Sequence, residues 1–111
     1  MTLNETAERL GFEMLQKSFT DRPLRGAYTS DLLSDVMAHA HERDLLITIQ
    51  AHKNTVAVAT LVGVAAIVLC NDRPVPEDMI QAARDEEIGI FRTDKDQFTV
   101  SGEIYRIVAP E

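Results

Sequence analysis

The apolar positions change period along the chain. Leu32, Leu33, Val36, Met37 and Ala40 recur at helical spacing and mark one face of a helix ending near His41, with Thr29 or Ser30 as its cap and Asp31 in its first turn. Residues 45–50, Leu-Leu-Ile-Thr-Ile-Gln, make an apolar run of strand length. Residues 55–62 are apolar around the whole circumference of a helix that Asn54 can cap and Gly63 can end. Residues 64–69 are rich in β-branched side chains and uncharged, as in a parallel strand buried on both faces. Pro74 and Pro76 close that strand, and Glu77 and Asp78 open a helix with Met79, Ile80 and Ala83 on its inner face. Residues 88–91 are the next strand. Asp94 and Gln97 have capping-box spacing before a last helix, on which Phe98, Ser101, Tyr105 and Val108 share a stripe.

The first thirty residues are less regular. Thr2 and Glu5 have capping-box spacing, Ala7 and Leu10 face inward, and Gly11 ends the helix. Residues 12–15 and 26–28 are short strands on either side of a turn at Asp21-Arg22-Pro23. Strand and helix alternate from residue 31 onward, which requires right-handed crossovers about a shared sheet. The expectation is an α/β fold: a mainly parallel sheet of about four to six strands, flanked by helices, with residues 46–50, 64–69 and 89–91 at its centre.

The chain has 111 residues, the size of one domain. With 45% hydrophobic and 26% charged residues, it holds enough apolar surface to build a core without staples. Its net charge of −7 and the lack of a basic run argue against a nucleic-acid partner. The lone Cys70 excludes an internal disulfide and a cysteine zinc cluster. The most apolar window, broken by Thr60 and Gly63, is too short for the ~20 residues of a membrane span. The first residues, Met-Thr-Leu-Asn-Glu-Thr, have neither the basic start nor the apolar stretch of a secretory segment. A cytoplasmic protein is expected, with no membrane partner.

Ligands of open parallel sheets sit beyond the carboxyl ends of the strands. The turns there carry Thr29, Ser30 and Asp31; His52, Lys53 and Asn54; Asn71, Asp72 and Arg73; and Thr93, Asp94 and Asp96. From these, Ser30, Asp31, His52, Asn54, Asn71 and Thr93 are expected to converge on a small anionic or polar metabolite. Helix capping alone would also explain many of them, Asn54 above all. His52 follows a buried strand directly and is the one candidate for acid–base work, but no nucleophile stands in a motif with it. His39 and His41, two apart, do not share a helix face and make no metal pair. Asp31 and Asp35 are an i, i+4 carboxylate pair of the kind usually solvated. No Gly-x-Gly-x-x-Gly, phosphate loop or Cys-x-x-Cys is present. No catalytic residue, metal or cofactor is assigned.

Taken together, residues 30–40 and 46–59, the strand and turn Ala66-Ile67-Val68-Leu69-Cys70-Asn71-Asp72, and the segment Thr93-Asp94-Lys95-Asp96-Gln97-Phe98 resemble the DRTGG domain family over nearly the whole chain. The resemblance implies a fold similar to the N-terminal domain of HPr kinase/phosphorylase, without that enzyme's phosphate loop or activity. It also implies an accessory, regulatory role. Family members stand alone near hydrogenase or electron-transfer genes, or sit within CBS-domain pyrophosphatases and phosphate acetyltransferases. The family's Asp-Arg is Asp31-Leu32 here, and its Thr-Gly-Gly is Cys70-Asn71-Asp72. The first change removes an anion-binding side chain and the second removes two small residues.

The expected function is therefore a non-catalytic, ligand-sensing domain attached to a metabolic or redox enzyme system. A ligand-free interaction module and a small enzyme using His52 are the alternatives. A homodimer is expected as well, because the apolar helix over residues 55–62 has more surface than one sheet can cover.

Overall fold

The computed structural model describes residues 1–109. The three apolar runs become the centre of one sheet: β3 (Leu45–Thr48), β4 (Ala66–Leu69) and β5 (Gly89–Arg92). Short strands β2 (Ala27–Thr29) and β1 (Glu13–Gln16) form its two edges, in the order β1-β5-β4-β3-β2. The pairs β2–β3, β3–β4 and β4–β5 are parallel, and β1 runs antiparallel to β5 with an irregular register between Met14 and Gln16. The expected mainly parallel α/β sheet is observed, with the expected strands at its centre.

The central strands feed two cores, because side chains alternate across the sheet. Leu45, Ile47, Ala66, Val68 and Phe91 face α1 (Leu3–Leu10) and α5 (Gln97–Val108), where Leu3, Ala7, Val100 and Ile104 meet them. Leu46, Ile67, Leu69 and Ile90 face α2 (Leu33–His39), α3 (Lys53–Val62) and α4 (Glu77–Asp85), against Val36, Val56, Ala59, Met79 and Ala83. A strand covered on both faces has no wet position, which is why these runs read as continuous apolar sequence. Thr48 is the polar residue buried within them.

Helix ends follow their local chemistry. The Thr2–Glu5 capping box forms, and Gly11 (φ 73°) and Gly63 (φ 90°) end α1 and α3 in the left-handed conformation. Three expectations are corrected. His52, not Asn54, caps α3, its Nδ1 accepting from the Asn54 N–H at 3.0 Å. Asp96, not Asp94, caps α5 through the Thr99 N–H at 2.8 Å. Helix α2 starts one residue after Leu32, so Asp31 lies before the helix and its carboxylate turns elsewhere.

Helix faces also differ from the sequence reading. On α2 only Val36 is buried, while Leu32 and Met37 are exposed. On α5 Phe98 and Tyr105 of the expected stripe point outward, whereas Ser101 shares a hydrogen bond with Thr29 at 2.7 Å, Val108 packs on the core, and Val100 and Ile104 fill it. Helix α3 packs against both α2 and α4; Thr55, Val56 and Ala59 are covered and Val58 and Val62 partly covered, while Ala57 and Leu61 stay exposed, Leu61 at 74%. No helix among the described residues is long and apolar enough to cross a membrane.

Candidate functional site at the carboxyl edge of the sheet

The parallel registers bring the strand ends level. Thr48 lies beside Leu69 and Leu69 beside Arg92, with Thr29 beside Ile47. The turns that follow are therefore collected on one edge.

Asp31 is the hub of that edge. One oxygen of its carboxylate accepts the Thr48 hydroxyl at 2.9 Å, the Ile49 N–H at 3.0 Å and the Gln97 amide at 2.9 Å. These donors come from the end of β3 and the first residue of α5. The Gln50 amide donates to the Asp31 carbonyl at 3.1 Å, and the Gln50 N–H donates to Thr48 Oγ1 at 3.2 Å. A carboxylate held by several donors is fixed in direction, and among the described residues none donates to its second oxygen. The residues that follow the bonded pair, Leu32 and Phe98, are 64% and 89% exposed.

The neighbouring turn has an unusual backbone. Asn71 and Asp72 both have positive φ, 62° and 50°, the region that favours glycine and, among other residues, Asn and Asp. The Asn71 N–H donates to the Lys95 carbonyl at 2.9 Å and the Asp72 N–H to the Thr93 carbonyl at 2.8 Å, tying this turn to the one after β5. The backbone shape that Gly-Gly would adopt freely is thus kept, and two exposed polar side chains are added to it.

The six residues singled out from sequence fall into four groups. Asp31 joins β3 and α5 as described. Asn71 and Thr93 belong to the paired turns, where buried Thr93 accepts the Lys95 N–H on its hydroxyl at 3.2 Å and exposed Asn71 leaves its side chain outward. Ser30 extends the β2–β3 ladder through its N–H to the Ile47 carbonyl at 3.2 Å and accepts the Leu32 N–H on its hydroxyl. His52 and Asn54 lie at the start of α3, where the His52 ring serves as the cap. Thr48, Gln50 and Gln97 were missed. The signal for Thr48 was a lone hydroxyl inside an apolar strand; Gln97 carried none beyond its place at a helix start.

Two cations near the edge are matched by carboxylates. Arg92 contacts Glu13 at 2.8 Å and Asp72 at 3.7 Å, and Lys95 contacts Glu103 at 3.0 Å. Burial, with the Asp31 and Asp96 carboxylates nearby, pushes the Cys70 thiol up to about 11, so it is protonated and a poor nucleophile at neutral pH. Among the described residues no group of three or more His, Cys, Asp or Glu side chains could hold a metal ion. On the outer side of β2, the Tyr28 hydroxyl donates to Asp35 at 2.7 Å and His39 contacts the same carboxylate at 3.0 Å.

An open, mainly parallel sheet with polar turns on its carboxyl edge places the chain among the α/β domains. A family model described as the DRTGG domain matches residues 8–107, and the chain belongs to that family. A solved structure with a similar fold is that of the CBS and DRTGG domains of the regulatory region of Clostridium perfringens pyrophosphatase, complexed with its activator diadenosine tetraphosphate. It superposes with a TM-score of 0.73 at 17% identity, over 92% of this chain and 45% of that one. The chain thus spans less than half of that regulatory region. No curated protein matches the chain.

Proposed function

We propose that this chain is a non-catalytic regulatory domain that senses a small polar metabolite at the carboxyl edge of its sheet, works as a homodimer, and is accessory to a metabolic or redox enzyme. The observation that carries this reading is the Asp31 carboxylate, fixed by donors from two other parts of the fold and followed in the chain by exposed Leu32. A pre-oriented acceptor next in the chain to an exposed apolar residue suits a ligand with a flat or apolar body and hydrogen-bond donors. A nucleoside has that chemistry, and the regulatory region that contains the similar fold, together with CBS domains, was solved with a diadenosine compound. A bare polyphosphate suits the edge less well. Asp31, Asp72, Asp94 and Asp96 lie along it and outnumber the exposed cations Lys53 and Arg73, Arg92 and Lys95 are held by carboxylates, and the His52 and Asp96 side chains each engage one N–H of the helix they cap.

A thermal-shift series with adenosine, AMP, diadenosine tetraphosphate, acetyl phosphate and simple organic acids tests the proposal. A ligand that binds only the folded chain stabilises it by about 2.7 kcal/mol at a hundredfold excess over Kd. Adenosine or AMP is expected to raise the melting temperature, and Asp31→Asn to remove the rise. A flat response to all of them would favour the second reading, a ligand-free interaction module, for which the exposed Leu32, Met37, Phe98 and Tyr105 speak.

A further inference from the structure

Helix α5 carries a feature that nothing inside the domain explains. Its outward face presents Phe98 at 89% and Tyr105 at 69% exposure, one above the other two turns apart. Midway between them lie Ser101 and Gly102. Gly102 sits in the middle of the helix, where glycine costs roughly 0.5–1 kcal/mol relative to alanine. A Cβ built there would meet nothing within 4 Å. No neighbour among the described residues needs that glycine to be small. A helical glycine between two exposed aromatic rings is what the close approach of a second backbone requires.

From this arrangement we infer that α5 packs against α5 of a second copy of the chain, antiparallel, about a two-fold axis at Ser101–Gly102. The inference rests on the homodimer reading above and adds the surface. The stripe is self-complementary, as an isologous contact must be. A two-fold axis midway between the two rings lays each Phe98 against the other copy's Tyr105, with the glycines at the crossing. Charge agrees with the geometry. Two protomers of net charge −7 repel, yet residues 97–102 carry no charge and Glu103 is neutralised by Lys95 at 3.0 Å. The helix has exposed Asp94 and Asp96 at its start and exposed Arg106 near its end. Antiparallel pairing sets each Arg106 toward the acidic start of the other helix, and the two helix dipoles also oppose favourably. The area suffices. Aromatic side chains bury about 150–250 Å² each, so four rings supply on the order of 600 Å², and the flanking residues bring the face near the ~1,000 Å² of a specific interface. Phe98 adjoins Gln97, which holds Asp31, so the second copy would also wall the open side of the ligand edge.

Light scattering on the full chain at tens of micromolar should give a dimer. Phe98→Asp and Gly102→Leu should each weaken it roughly tenfold or more, the loss expected at the centre of an interface. Gly102→Leu enters open space in the protomer and favours the helix, so its circular dichroism should be unchanged and the loss cannot be ascribed to unfolding. Gly102→Cys, placed at the axis, should form a disulfide-linked dimer under mild oxidation, while buried Cys70 stays silent. Leu61→Cys on α3 should not cross-link. A monomeric wild type would overturn both the homodimer and this surface, and would leave the α5 face to a different protein. A dimer that survives Gly102→Leu, or that cross-links at Leu61→Cys rather than Gly102→Cys, would overturn the surface alone. Either result leaves the ligand reading to its own thermal-shift test.

Discussion

At the scale of single residues, Asp31 matters most and was only partly legible. A carboxylate before an apolar helix reads as a first-turn residue, because the helix dipole favours it there. Its true partners are seventeen or more positions away, and no local pattern announces a bond of that span. The hub makes a graded prediction. Asp31→Ala leaves the Thr48 hydroxyl, the Ile49 N–H and the Gln97 amide without their acceptor, and should cost about 1–3 kcal/mol in urea unfolding. Asp31→Asn keeps an acceptor oxygen and should cost clearly less. His52 was singled out because a ring after a buried strand needs a partner; the partner proved to be the helix it caps. His52→Ala should therefore lower stability by about 0.5–2 kcal/mol, the range for losing a cap. The Tyr28–Asp35 bond gives a pH-dependent prediction. The Tyr28 hydroxyl, followed by Ser30 and His39, holds Asp35 below its ordinary 3.8. A carboxylate depressed in the folded state stabilises above its unfolded pKa, and that stability is lost as pH falls through the folded pKa. Tyr28→Phe should thus be less stable than wild type at neutral pH, with the gap narrowing below the ordinary carboxylate range, as equilibrium unfolding at the two pH values will report.

At the scale of elements, the sequence was most legible where burial was complete. β3, β4 and β5 were found because both faces of each are covered and their runs are apolar throughout. Helix faces were harder. On α5 the set Phe98, Ser101, Tyr105 and the set Val100, Ile104, Ile107 both have helical spacing, and periodicity alone cannot choose between them. The buried set is aliphatic and the exposed set aromatic, opposite to a guess that ranks residues by size. Caps slipped by two residues at α3 and α5 because several capping residues stand in a row at each start. The turn after β4 makes a prediction of its own. Asn71 and Asp72 both hold positive φ, a region costing roughly 1–2 kcal/mol for an ordinary side chain and less for Asn or Asp. Asn71→Gly should leave stability equal or slightly raised. Asn71→Val should lower it by about 1–2 kcal/mol or more, as thermal melts will show.

At the scale of the whole molecule, topology was legible because alternating strands and helices admit few arrangements. The strand over residues 12–15 was expected and forms as β1, but its antiparallel place beside β5 was not legible, since four residues with an irregular register leave little trace of their partner. What the topology adds is convergence: parallel strands that end level gather Asp31, Thr48, Asn71, Thr93 and Gln97 from across the chain onto one edge. That edge being a ligand site is best tested by following the backbone amides in ¹H–¹⁵N spectra as the full-length protein is titrated with adenosine and with AMP. The expected result is a saturable set of shifts centred on Asp31, Ile49, Gln50, Asn71, Thr93 and Gln97, absent in Asp31→Asn. Saturable shifts centred on another surface, or spectra unchanged by either compound at millimolar concentration, would contradict a nucleoside-class site at this edge.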